Sequence, residues 1–163
     1  AAWRWLARHG AEGEDCSAAP RPPLFLAGDS SGAASALSLL LRATSPGSSL
    51  PAAVGLVALS PWTNLACDTP TYLTNAFAAI KGADRSAVVG DLIRREAPET
   101  VVVSSRAQAL QYVAYDPALL TYAMASPFYT SPEQLSRLPP MYLAVAGGEA
   151  QAGDGIILAG RAA

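Results

Sequence analysis

An α/β fold, a mostly parallel sheet flanked by helices, follows from three features of the sequence. Apolar runs of strand length recur at LFLAG (24–28), AAVGLVALS (52–60) and MYLAVAGG (141–148). The second is apolar on both faces, as befits a parallel strand buried from both sides. Segments of helical periodicity separate and follow these runs, so the order reads strand–helix–strand–helices–strand–helix.

The elements follow in order. Residues 2–9 carry Trp3, Leu6 and Ala7 on one helical face, and Gly10 stops the helix. Residues 11–23 are rich in Gly, Ala, Pro and acids and read as a loop. After the first strand comes AASALSLLLRA, a strong helix pattern, which TSPGSSLP breaks. The second strand ends in the punctuation SPWTN. From 65 to 125 the pattern changes. Helical pieces are expected around Leu73–Ile80, Ser86–Arg95 and Gln108–Ala114, while Val101–Val103 is β-prone but isolated. Ser131-Pro132-Glu133-Gln134 reads as a helix start: Ser131 caps, Pro132 fits the first turn and Gln134 reaches back. LPP stops that helix before the third strand. Asp154 is read as the cap of a last helix, GIILAGRAA, whose pattern is still running at Ala163. No Met opens the chain, so residues 1–163 are read as a single, incomplete domain.

Composition excludes several functions. The chain is 163 residues long, 51% apolar and 15% charged, with net charge −2. No basic face suits a phosphate backbone, so nucleic acid is not an expected partner. No apolar run reaches the roughly 18–20 residues of a membrane span. The polar N-terminus carries no signal-peptide pattern, which favours the cytoplasm. Cys16 and Cys67 lie far apart without metal-ligand spacing and read as free thiols. Neither a metal nor a cofactor is expected.

One motif carries chemistry. Gly28-Asp29-Ser30-Ser31-Gly32 fits G-x-S-x-G, and it stands between an apolar strand and a helix. In that setting a sharp, strained turn lifts Ser30 out at the carboxyl end of the strand. Bulk is not tolerated there, which accounts for Gly28 and Gly32. The helix N-terminus faces the developing anion, and the Ser31 N–H is the expected oxyanion-hole donor.

GDSSG, with Asp29 before the nucleophile, resembles the hormone-sensitive-lipase-type esterases of the α/β-hydrolase fold. The resemblance continues through the helix and loop that lead into LFLAGDSSG, through ALSPWTNL, and through ASPFYTSPEQLSRLPPMYLAVAGGEA. It implies a partial α/β-hydrolase fold, with residues 66–125 as a helical cap over an acyl pocket. Trp62, Tyr72 and Phe77 would be apolar lining of that pocket or plain core. The implied activity is hydrolysis of a small-molecule acyl ester through an acyl-enzyme, with Ser30 as nucleophile and Glu149 as catalytic acid. Glu149 ends the third strand, just after Gly147-Gly148. Gln151 and Gly153 depart from the family pattern, where Leu and Asp are usual.

The general base is missing from this pattern. The only histidine is His9, ahead of the nucleophile strand, whereas the chain order of this fold is Ser, acid, His. The HGGG segment that completes the oxyanion hole is also absent. The chain alone is therefore expected to be inactive. The alternative is a non-catalytic small-molecule-binding protein on the same scaffold. Plant gibberellin receptors resemble the family and have lost this histidine. A nucleotide-binding unit fares worst, because no G-x-G-x-x-G or G-K-[ST] follows a strand. Acyl length, physiological substrate and oligomeric state stay open.

Overall fold

The computed structural model describes residues 1–10, 13, 23–76, 78–79, 88–89, 91 and 97–163. In chain order these form helix Ala2–His9 (α1), strand Phe25–Asp29 (β1), helix Ser31–Thr44 (α2) and strand Gly55–Leu59 (β2). One-turn helix Thr71–Thr74 (α3), strands Ala78–Ala79 (β3) and Val88–Val89 (β4), and helix Pro98–Tyr112 (α4) follow. Short helix Pro132–Leu135 (α5), strand Met141–Ala144 (β5) and helix Ala152–Ala162 (α6) complete the set, with 3₁₀ turns at Pro117–Thr121 and Pro127–Tyr129.

The main sheet is parallel, in the order β1-β2-β5. Its register aligns Asp29 with Leu59 and Leu59 with Ala144, so all three strands end at one level. α2 follows β1 at once and lays Ala33, Ala36, Leu37 and Leu40 over Leu56 and Ala58. That is one stripe at helical spacing. Leu135 and Leu158 close the same core, and Trp3 packs against it. The Trp3 indole N–H donates to Pro51 O at 2.9 Å, which satisfies its one polar atom. Gly10, at φ 66°, ends α1 by donating its N–H to Leu6 O. Only glycine takes that φ without strain.

The β2 run is apolar on both faces, but the described elements cover one. Phe25, Val57, Leu59 and Tyr142 alternate onto the other face and are exposed, Phe25 and Tyr142 to 64% each.

Several expectations are corrected. Helices were expected across Leu73–Ile80 and Ser86–Arg95. Within them α3 covers only Thr71–Thr74, while β3 and β4 pair antiparallel, Ala78 with Val89 and Ala79 with Val88. A two-residue ladder depends on its partner strand, which helical periodicity does not register. The rest of those two stretches, apart from Asn75, Ala76 and Asp91, lies outside the described residues, as do Phe77 and Cys16. Val101–Val103, β-prone by composition, is helical within α4. Pro98 occupies the first turn, and Val101, Ser105 and Ala109 form a buried stripe at i, i+4, i+8. Tertiary burial outweighs the small helical penalty of β-branching. Cys67 is a free, buried thiol, and burial pushes its pKa up to about 11. Ser131 does form the expected capping box with Gln134. Among the described residues, no helix is long and apolar enough to cross a membrane.

Candidate active site

Ser30 sits in the one-residue joint between β1 and α2, at φ 53° and ψ −121°. That conformation is costly for a residue with a Cβ and persists only where the surroundings fix it. Here both backbone groups are engaged. The Ser30 N–H donates to Leu59 O at 2.9 Å, and Ser30 O accepts from the N–H groups of Trp62 (3.1 Å) and Ala34 (3.3 Å). The side chain caps no amide of α2. Ser31 is the first residue of that helix, where N–H groups have no intrahelical acceptor.

The two glycines of the motif differ. A Cβ on Gly28 would lie 2.5 Å from Gly32 C and O and 2.6 Å from Ala33 N, so the strand can pass the helix start only as glycine. A Cβ on Gly32 meets nothing within 4 Å. The expected steric need for both glycines is therefore corrected to a need at Gly28 among the described residues. Asp29 closes β1 opposite Leu59 and is exposed.

Glu149 lies five residues past β5, in the turn between β5 and α6, and does not end the strand as expected. Its Oε1 accepts from the Ser60 hydroxyl at 2.8 Å. Its Oε2 is buried and has no hydrogen-bond partner among the described residues. The turn around it is tied down by neighbours. The Asn75 side-chain amide donates to Gly147 O (2.8 Å) and Glu149 O (3.0 Å). Asp91 accepts the Ala150 N–H at 2.9 Å, and Gln151 Nε2 donates to Ser60 O at 2.6 Å. Both departures from the family pattern thus have local reasons. Gln151 ties the turn to β2, and a Cβ at Gly153 would lie 2.7 Å from Thr71 Oγ1.

Ser30 and Glu149 are anchored by consecutive residues. Leu59 holds the first through its carbonyl, and Ser60 holds the second through its hydroxyl. Both groups therefore belong to the carboxyl end of the sheet, where ligands of open α/β sheets bind. Ser60, Asn75 and Asp91 were not singled out from the sequence. ALSPWTNL marked the position of Ser60 but not its role.

Asp154 is not a helix cap. It lies inside the first turn of α6, fully buried, and Gln151 holds the capping position without a side-chain bond to the helix. Its carboxylate accepts from Thr69 Oγ1 and Tyr72 OH, each at 2.8 Å, and from Asn64 Nδ2 at 3.4 Å. Burial pushes its pKa up to about 7, against the pull of those donors. The Tyr72 phenol is also pushed up, by burial first and then by Asp154. Tyr72 is thus core and not pocket lining. Trp62 is half-buried, packed against the two small cores built around Tyr72 and Leu65. His9 ends α1 with its ring 5.1 Å from that of Trp5. Among the described residues it makes no hydrogen bond to Ser30 or Glu149. Among those residues there is also no cluster of three or more His, Cys, Asp or Glu placed to hold a metal.

Comparison with known proteins agrees with this fold. The profile of a family described as alpha/beta hydrolase fold matches residues 1–163. No curated protein matches the chain. Among solved structures, an esterase from the bacterial hormone-sensitive lipase family is 29% identical with a TM-score of 0.64, covering 99% of this chain and 43% of that one. A thermostable esterase from Pseudomonas putida is 25% identical with a TM-score of 0.71, again with 99% and 43% covered. Carboxyl esterase 2 from the mycorrhizal fungus Tuber melanosporum shares the fold, with a TM-score of 0.71 at 22% identity over 99% of this chain and 45% of that one. The chain spans less than half the length of these proteins.

Proposed function

This chain belongs to the alpha/beta hydrolase fold family, and on that premise we propose that it supplies the nucleophile and the acid of a carboxylic ester hydrolase acting on short or medium acyl esters. The observation that carries the reading is the pairing at one sheet end of a strained Ser30 with a buried carboxylate whose Oε2 lacks a partner among the described residues. Ser30 Oγ attacks the acyl carbon. A histidine from outside these 163 residues takes its proton, and the imidazole N–H on the other side rests on Glu149 Oε2. The Ser31 N–H donates to the oxyanion of the tetrahedral intermediate. The alcohol leaves with the proton returned by the histidine, and water hydrolyses the acyl-enzyme by the same steps. No step calls on a metal or a cofactor. Residues 66–125 would roof the acyl pocket.

The segment alone lacks a base for Ser30. A base must come within roughly 2.6–3.2 Å of the proton it takes. His9 lies on a helix ahead of β1, while Ser30 follows that strand's carboxyl end. These residues by themselves should give no hydrolysis above a Ser30→Ala control, and His9→Ala should change nothing.

The test is hydrolysis of p-nitrophenyl butyrate by the full-length protein that carries this segment, with and without a chelator. Turnover insensitive to the chelator and cut on the order of 10⁶-fold in Ser30→Ala supports the reading. Full activity in Ser30→Ala, or its loss to the chelator, refutes it.

A further inference from the structure

Ser60 stands just past β2 at φ 42°, a left-handed conformation that disfavours any residue with a Cβ. Glycine or asparagine would suit that backbone better, so the serine side chain has a use there that offsets the strain. Every polar group of Ser60 is bound to one stretch of chain. Its N–H donates to Ala144 O at 2.7 Å, its carbonyl accepts from Gln151 Nε2 at 2.6 Å, and its hydroxyl donates to Glu149 Oε1 at 2.8 Å. Residues 144–151 thus grip Ser60 from the strand end, the turn and the start of α6.

The consequence falls on Glu149. An ionised carboxylate only accepts hydrogen bonds, and it can rotate to offer either oxygen. With Oε1 taken by the Ser60 hydroxyl, the oxygen left for a second donor is Oε2, which is buried and unpartnered among the described residues. We propose that Ser60 is a positioning residue: its hydroxyl locks Glu149 so that Oε2 alone is presented to the catalytic base. Gln151 supports this indirectly, by fixing the Ser60 peptide. The inference rests on the reading of Glu149 as the acid of an ester hydrolase.

The test uses three substitutions in the full-length protein, with p-nitrophenyl butyrate as substrate. Ser60→Ala removes the hydroxyl and keeps the Cβ. Ser60→Gly removes the hydroxyl and also relieves the backbone, so it folds even where the alanine variant is destabilised. Each should lower kcat about tenfold to a hundredfold, the scale of a small misplacement of a catalytic group, and leave KM unchanged. The third substitution, Glu149→Ala, supplies the background. If Ser60 acts through Glu149, adding Ser60→Gly to Glu149→Ala costs nothing more. Wild-type kcat in Ser60→Gly, or an equal loss with and without Glu149, overturns the role of Ser60 and leaves Glu149 as the acid. Wild-type activity in Glu149→Ala overturns both the role of Ser60 and the assignment of the acid, while Ser30→Ala reports on the nucleophile separately.

Discussion

The Tyr72 hydroxyl donates to Asp154 Oδ2 at 2.8 Å in a part of the core where both side chains are almost wholly shielded from solvent. This bond joins α3 to the first turn of α6. Thr69 and Asn64 add two more donors from the segment after β2. The turn that carries Glu149 lies directly ahead of this junction, so the polar core beneath α6 also steadies that turn.

The junction makes stability depend on pH. The Asp154 carboxyl is raised from 3.8 to about 7 by burial, so the folded state holds its proton more tightly than the unfolded chain. The stability this gives is full below the unfolded value and is lost as pH rises through the folded one. Urea unfolding of the full-length protein should show the midpoint falling between about pH 4 and pH 7, the interval bounded by the unfolded and folded values. Asp154→Asn, which does not titrate, should be less stable overall and flatter across that window. Equal slopes for the two proteins would contradict the assignment.

Gly28 and Gly32 should respond differently to alanine. At Gly28 the new Cβ meets backbone at 2.5 Å, which cannot move aside as a flexible side chain would. Overpacking of this kind costs about 1–3 kcal/mol or more and shifts the elbow that presents Ser30. Gly28→Ala should therefore lower both the melting temperature and esterase turnover. Gly32→Ala, on an exposed helical position with open space around it, should leave the melting temperature within a degree or two of the parent. A tolerated Gly28→Ala would show that the strand and helix can separate at this point.

α4 should open more readily than the sheet. Its buried positions are Val101, Ser105 and Ala109, with most other side chains exposed. Among the described elements it packs most extensively on α3 and the turn at Pro117–Thr121. Low burial of this kind marks segments that open locally and that gate pockets. Hydrogen exchange on the full-length protein should be faster over 98–112 than over β1 and β2. Equal or slower exchange would argue against residues 66–125 forming a mobile cap.

The parts of the fold legible in the sequence are those fixed by local chemistry. The capping box at Ser131, the Gly10 stop, the stripe of α2 and the three parallel strands each leave a short-range signature that burial then respects. The strand–GDSSG–helix frame marked the sharp turn at Ser30 because the helix start leaves no room for a side chain at Gly28. What escaped depends on contacts remote in sequence. β3 and β4 exist through each other, and α4 overrides the strand preference of its valines by burying one of them. Asp154 has the residue type and position of a cap. Its side chain turns instead toward Thr69 and Tyr72, more than eighty residues earlier. Ser60 is likewise unremarkable as a serine after a strand until Glu149, 89 residues on, is seen to lean on it.

The most direct measurement is covalent trapping of the nucleophile. Full-length protein treated with a fluorophosphonate ester, digested and analysed by mass spectrometry should carry a single adduct on Ser30, formed in step with loss of esterase activity. Loss of activity with the adduct elsewhere, or an active protein that leaves Ser30 unmodified, would contradict the account.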